Sequence, residues 1–179
     1  MPNHTESLIE FKVSYDLKVK ILDFIKGVDK NGNESLLCFN KIIPMPPTVF
    51  NGDLGQEEKE IHGANNWYDW SLENWGTKWD AYDISVYEVE KTNAEKFILD
   101  KKAKTKVRIY FQTAWSPVPK ILSKISETFP EVKFIYAYRD EGGGFYGKDE
   151  YLNGVFCKCS ENPPTVKRFL KSLKFETKL

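Results

Sequence analysis

The sequence predicts one α+β domain, a β-α-β-β-α-β unit with an antiparallel sheet and its helices on one face. Three observations point to it. The apolar residues change period along the chain, from strand-like to helical and back, in that order of elements. Proline and glycine clusters such as Pro44-Met-Pro-Pro47 and Gly142-Gly-Gly144 mark the ends of periodic stretches. The segment at about 48–82 breaks the pattern and holds four of the five tryptophans, so it reads as an insertion.

Ile9, Phe11 and Val13 alternate with Glu10 and Lys12, the period of a half-buried strand. Over Asp16–Val28 the pattern turns helical, with Leu17, Ile21, Phe24, Ile25 and Val28 on one face and lysines opposite. Asp29-Lys-Asn-Gly-Asn33 supplies a turn. The mostly apolar Leu36–Ile43 is the expected second strand, stopped by the prolines after it. Within the insertion, Gln56–His62 has the composition of a short acidic helix. Asn66 suits the N-cap of a second helix reaching about Trp75, with Gly76 as its stop.

Asp83–Val89 and Lys104–Thr113 are strands, joined through Asn93 and Phe97. Ser116-Pro-Val-Pro119 opens a helix capped by Ser116, with Val118, Ile121, Leu122, Ile125 and Phe129 along its buried stripe. Val132–Arg139 is a strand, Gly142–Gly144 a turn, and Leu152–Cys159 the returning partner. Pro163-Pro164 opens a last helix with Val166, Phe169, Leu170 and Leu173 inward. With the insertion, the hairpin partner, this helix and one of the three middle strands set aside, the ferredoxin-like split unit remains.

At 179 residues, 41% of them hydrophobic and 15% aromatic, the chain is a single domain (1–179) with a sizeable core. Its formal net charge is zero, which implies no bulk attraction to nucleic acid or membrane. The charge is uneven: residues 51–100 carry 12 acids against 4 bases, and residues 101–179 carry 16 bases against 8 acids. These regions are expected to neutralise each other within the fold or across a homodimer. Three cysteines, Cys38, Cys157 and Cys159, are too few for a disulfide framework. No apolar run has the length of a membrane span, and the N-terminus lacks a signal-peptide pattern. A reducing cytoplasm is the expected setting.

No catalytic or metal motif stands out. Gly142-Gly-Gly-Phe-Tyr-Gly147 spells G-x-G-x-x-G, but strand-like residues follow where a dinucleotide fingerprint needs a helix, so no cofactor is expected. Cys157-Lys-Cys159 lacks zinc spacing, and only His4 and His62 could add imidazoles, so no metal is expected. Glu73 and Asp80 flank the tryptophan cluster, where burial would raise a carboxyl pKa into the range of an acid or base. They are the catalytic candidates for a small hydrolase or isomerase. The competing and preferred reading gives Asp80 and Lys78 a structural task, tying a loop to backbone amides or to each other. Trp75, Gly76, Thr77, Lys78, Trp79, Asp80, Thr113 and Trp115 then form a structural motif packed on the main core, and truncating a buried Trp79 should unfold the protein.

The strongest binding feature lies on the Lys104–Thr113 strand. Val107, Ile109 and Phe111 face the core, while Lys104, Lys106, Arg108, Tyr110 and Gln112 point the other way, with Tyr87 beside them and Glu10 and Lys12 on the first strand. Cations interleaved with aromatics on an open sheet can hold single-stranded nucleic acid by phosphate contact and base stacking.

Phe39-Asn-Lys-Ile-Ile-Pro-Met-Pro46, Asn74-Trp-Gly-Thr-Lys-Trp-Asp80 and Thr113-Ala-Trp-Ser-Pro117, with Phe129-Pro130 behind, resemble the YubB-like family. The resemblance runs from about residue 36 onward. It implies a ferredoxin-like fold, a phage or plasmid origin and a bacterial host, and it carries no activity or catalytic residues. The expected function is a non-enzymatic binding or regulatory module acting on a macromolecule, protein or single-stranded nucleic acid.

Overall fold

The computed structural model describes residues 3–29, 31–89 and 104–159. A long first strand, β1 (His4–Val13), leads into α1 (Tyr15–Ile25) and a small hairpin of β2 (Gly27–Val28) and β3 (Glu34–Ser35). Three short helices follow, α2 (Phe39–Ile42), α3 (Gln56–His62) and α4 (Trp67–Asn74). The chain then runs through β4 (Tyr82–Val89), β5 (Thr105–Ala114), α5 (Pro119–Thr128), β6 (Phe134–Asp140), β7 (Tyr146–Leu152) and β8 (Val155–Cys159).

The main sheet has the order β4-β5-β1-β6-β7-β8, with every neighbouring pair antiparallel. Its first four strands are the split β-α-β-β-α-β unit predicted from periodicity. Register explains the core. Ile9 lies opposite Ile109 and Tyr136, and Phe11 opposite Val107 and Phe134, so one face of the three central strands is continuously apolar. Ile21 and Ile25 of α1 and Ile121, Leu122 and Ile125 of α5 are buried with these residues in one cluster. Each such side chain contributes about 1.5–3 kcal/mol on leaving water. Inside the layer, the Tyr136 hydroxyl accepts from the Val118 amide at 3.0 Å and bonds the Ser7 hydroxyl at 3.0 Å, so its burial leaves no polar orphan.

Four expectations need correction. The helix expected over Asp16–Val28 ends at Ile25, and Val28 lies exposed in β2, not on a buried helical face. Leu36–Ile43 is not a strand: pairing stops at Ser35, and Phe39–Ile42 is a helical turn with Leu37, Cys38, Phe39 and Ile42 buried. An unbroken apolar run does not distinguish a buried strand from a buried helical turn. The partner of β6 is Tyr146–Leu152, and Val155–Cys159 is a further strand beyond it. Asn153 and Gly154 both take positive φ, 51° and 74°, and form the two-residue turn that an Asn-Gly pair favours. Ser116 does not cap α5. The N-cap position is Val118 with Pro119 as first helical residue, and the Ser116 carbonyl instead accepts from the Thr113 hydroxyl at 2.7 Å.

The helices of the insertion stand as expected. Asn66 Oδ1 accepts from the Tyr68 and Asp69 amides at 3.0 Å each, which satisfies the free donors of the first turn of α4. Gly76, at φ 85°, ends it. Gly142, Gly143 and Gly144 of the G-x-G-x-x-G run lie in the β6–β7 hairpin loop, while Gly147 lies in β7 opposite Tyr138, where a Cβ would come 2.3 Å from the Tyr138 hydroxyl. The Asn93–Phe97 connection and the helix expected after Pro163 lie outside the described residues.

Candidate functional site

The tryptophan motif is assembled by contacts between segments distant in sequence. Trp75 is 6% exposed, and its indole N–H donates to the Ile43 carbonyl at 2.9 Å. Its ring meets Phe39 and Trp70 edge-on, with centroids 6.2 and 5.4 Å away, so it closes the main core at the insertion. The buried Thr77 hydroxyl donates to the Ala114 carbonyl at 2.8 Å, tying the turn to the end of β5. At Gly76 a Cβ would stand 3.1 Å from the Pro117 carbonyl oxygen. Strain and crowding therefore act together at one position. Gly76→Ala is expected to destabilise the protein by about 1–2 kcal/mol, read as a shift in the urea midpoint.

Trp79 and Trp115 depart from the expected buried cluster: they are 38% and 40% exposed. Trp115 holds φ 69°, an uncommon conformation for a bulky residue. The Trp115 N–H donates to the Asn3 carbonyl at 3.0 Å and the Ser116 N–H to the Ala114 carbonyl at 2.9 Å, which helps to hold the bend. Between the two indoles lies the Lys78 ammonium, 4.5 Å from the Trp79 ring centroid, 5.2 Å from Trp115 and 5.9 Å from Tyr68.

Asp80 performs the structural task. Its Oδ1 accepts from the Phe39 amide at 2.6 Å and the Ala81 amide at 2.8 Å, and its Oδ2 from the Asn40 amide at 3.3 Å. The Cys38 thiol lies 3.4 Å from Oδ2. Asp80 thus provides, from forty residues away, the acceptors that the opening amides of α2 lack. Burial pushes its carboxyl above the usual range, while the amides of Phe39, Ala81 and Asn40 pull the other way. Burial, and next to it Asp80, pushes the Cys38 thiol up to about 11, so it stays protonated and unreactive. Glu73 is exposed on α4, where its backbone carbonyl accepts from the Lys120 ammonium.

Beside this anchor lies a cleft of about 660 Å³, bounded by the β2–β3 hairpin, the segment Met45–Val49, α4 and the turn Trp75–Tyr82. Its walls are mainly apolar: Pro46, Pro47, Val49, Trp67, Trp75 and Trp79. The sequence marked Trp75, Lys78, Trp79 and Asp80, but not Pro46, Trp67 or Ser71, which complete the cleft. The clustering of indoles and prolines was the available signal. Asp29 and Asp80, the two carboxylates on the lining, are each held by backbone amides, Asp29 Oδ1 by those of Asn31 and Asn33 at 2.8 Å each. A more open trough of about 790 Å³ runs between α5 and the β7–β8 hairpin, past Lys120, Glu127, Tyr138 and Phe156.

The strand face expected to bind nucleic acid is closed at its centre and largely neutralised. Arg108 is 9% exposed, its Nε 2.8 Å from Glu10 Oε2, and the Lys106 ammonium lies 3.2 Å from Glu10 Oε1. Arg139 pairs with Glu6 on the same face. Leu8 and Ala137, also on it, are buried. Tyr110 is half-buried, burial pushing its hydroxyl pKa up, and Gln112 Nε2 reaches its oxygen at 3.5 Å. Lys104 is exposed, and Tyr87 pairs in register with Arg108 at the strand edge. Among the described residues there is no group of three or more His, Cys, Asp or Glu that could hold a metal ion, and no helix long and apolar enough to cross a membrane.

A family profile described as the ferredoxin-like domain in Api92-like protein matches residues 74–168, more than half of the chain. The chain belongs to this family. The domain's fold is similar to that in the crystal structure of protein api92 from Yersinia pseudotuberculosis, at 16% sequence identity and a TM-score of 0.50. The match covers 72% of this chain and 41% of that one, so this Api92-like chain spans under half of the relative's length. No curated protein matches the chain. At this identity the likeness shows the fold, and the ferredoxin-like expectation holds.

Proposed function

We propose that this Api92-like protein is a non-enzymatic binding module whose recognition site is the cleft beside the tryptophan insertion. One observation carries the reading: an apolar cleft of ligand size whose carboxylates are already committed to backbone amides. Burial raises the pKa of Asp80, the direction an acid or base would need. Its oxygens, however, already accept from three amides, so proton transfer at Asp80 would disturb the hydrogen bonds that hold α2. The reading keeps the cytoplasmic setting expected from the cysteine count and N-terminal pattern, and the mobile-element origin that the YubB-like resemblance implies.

Single-stranded nucleic acid on the β5 face is the weaker reading, because Lys106 and Arg108 share Glu10 there. A mixed set of small aromatic, saccharide and peptide fragments, followed by indole fluorescence, tests the cleft. Members of the set should perturb the emission, and Asn51→Trp, which fills the cleft from an exposed position, should abolish the effect without changing Tm. Binding that survives Asn51→Trp, or no response from any fragment, would sink the proposal.

A further inference from the structure

We infer that the cleft takes a small planar aromatic ligand carrying one anionic group, with the chemistry of a nucleoside monophosphate. The inference rests on the cleft reading above and specifies its ligand. Two unsatisfied features of the lining define that chemistry.

The first is Ser71. Its residue is 1% exposed on α4, it lines the cleft, and its hydroxyl oxygen has no hydrogen-bond partner. A buried hydroxyl left in this state is unfavourable, and a polar ring edge brought into the cleft would meet it. The second is Lys78. Its ammonium lies against aromatic faces, and among the described residues no carboxylate is within ion-pair reach of it. The adjacent Asp80 lines the same cleft, with its oxygens accepting from amides and not from Lys78. The lining therefore carries an apolar interior, one buried polar contact and one ammonium that has no ion-pair partner among the described residues.

Size and surroundings narrow the ligand further. A cleft of about 660 Å³ matches a small molecule rather than a polymer. Among the described residues the lining holds a single cation, Lys78, beside Asp29 and Asp80, which suits one anionic group and not an extended polyanion. The ring then lies against the indole and proline walls, Ser71 meets its polar edge, and Lys78 neutralises the anion.

Adenosine monophosphate is the probe, titrated by calorimetry and indole fluorescence beside adenosine, inorganic phosphate and a 5′-phosphorylated trinucleotide. The monophosphate should bind at least about tenfold more tightly than adenosine or phosphate. It should also exceed the trinucleotide, which separates a free nucleotide from the end of a strand. Lys78→Gln should erase the advantage over adenosine. Ser71→Ala should weaken binding about five- to tenfold while Tm holds or rises, because the variant removes an unsatisfied buried group. A purely structural serine would instead lower Tm and leave affinity alone. Equal binding of adenosine and its monophosphate, or an unaltered preference in Lys78→Gln, overturns the inference while the cleft remains a binding site. Failure of the monophosphate when other fragments bind does the same. Silence from these probes and from the fragment set overturns both.

Discussion

Trp75→Ala is expected to remove about 3–5 kcal/mol of stability, enough to leave the protein unfolded or nearly so at ambient temperature. The indole fills the junction between the insertion and the sheet layer, touching Phe39 and Trp70, and Phe39 in turn meets Phe111 of β5. Truncation opens a cavity there and leaves the Ile43 carbonyl without its donor. Trp79→Ala is expected to behave differently. With 38% of its surface exposed, Trp79 loses a partial contact and a cation–π neighbour, a change of about 1 kcal/mol or less. Equilibrium urea denaturation of the two variants checks the contrast. A stable Trp75→Ala protein, or an unfolded Trp79→Ala protein, would show that the burial assigned to these rings is reversed.

Asp80→Ala carries the second large effect, a loss of about 2–4 kcal/mol. The substitution strips the acceptors from the amides of Phe39, Asn40 and Ala81 together, and Phe39 is itself a core residue. Amide exchange should accelerate first at Phe39 and Asn40, because the opening turn of α2 frays before the sheet does. The same carboxyl has a pH signature. Its folded pKa is raised, so the folded state holds the proton more tightly than the unfolded one. Its contribution therefore falls as pH rises from near the ordinary value of 3.8 through the higher folded value, and is constant beyond. Asp80→Asn, which does not titrate, should lack that part of the decline when midpoints are compared across the window. An identical pH profile in both proteins would show that Asp80 titrates normally.

Much of the fold was readable from local pattern. Alternation at Ile9, Phe11 and Val13 and at Val107, Ile109 and Phe111 identified the two central strands and their inward faces, because a strand exposes and buries alternate residues. Asn66 and Gly76 marked the ends of α4 because capping and positive φ are requirements of single residues. The Asn153-Gly154 turn was equally local and was passed over, which displaced one strand of the β7–β8 hairpin.

The site was less legible. The carboxyl at Asp80 and the lysine at Lys78 were noticed, yet their roles depend on neighbours that no local period encodes. Whether Leu36–Ile43 extends or coils is settled by Asp80 supplying acceptors to the amides of Phe39 and Asn40. Which tryptophan is core and which is surface follows from how the insertion meets α2 and β5, where Trp75 turns inward and Trp79 and Trp115 flank Lys78. Glu10 claims both Lys106 and Arg108, so a strip that reads as basic is paired in the folded sheet. Local pattern was sufficient for the strands β1 and β5, the buried stripe of α5 and the ends of α4, which answer to sterics and burial over a few residues. The cleft, the unpartnered Ser71 hydroxyl and the Lys78 ammonium without an ion pair arise only where segments far apart in sequence meet, since hydrogen bonds and charges are satisfied or left open by whatever packs beside them.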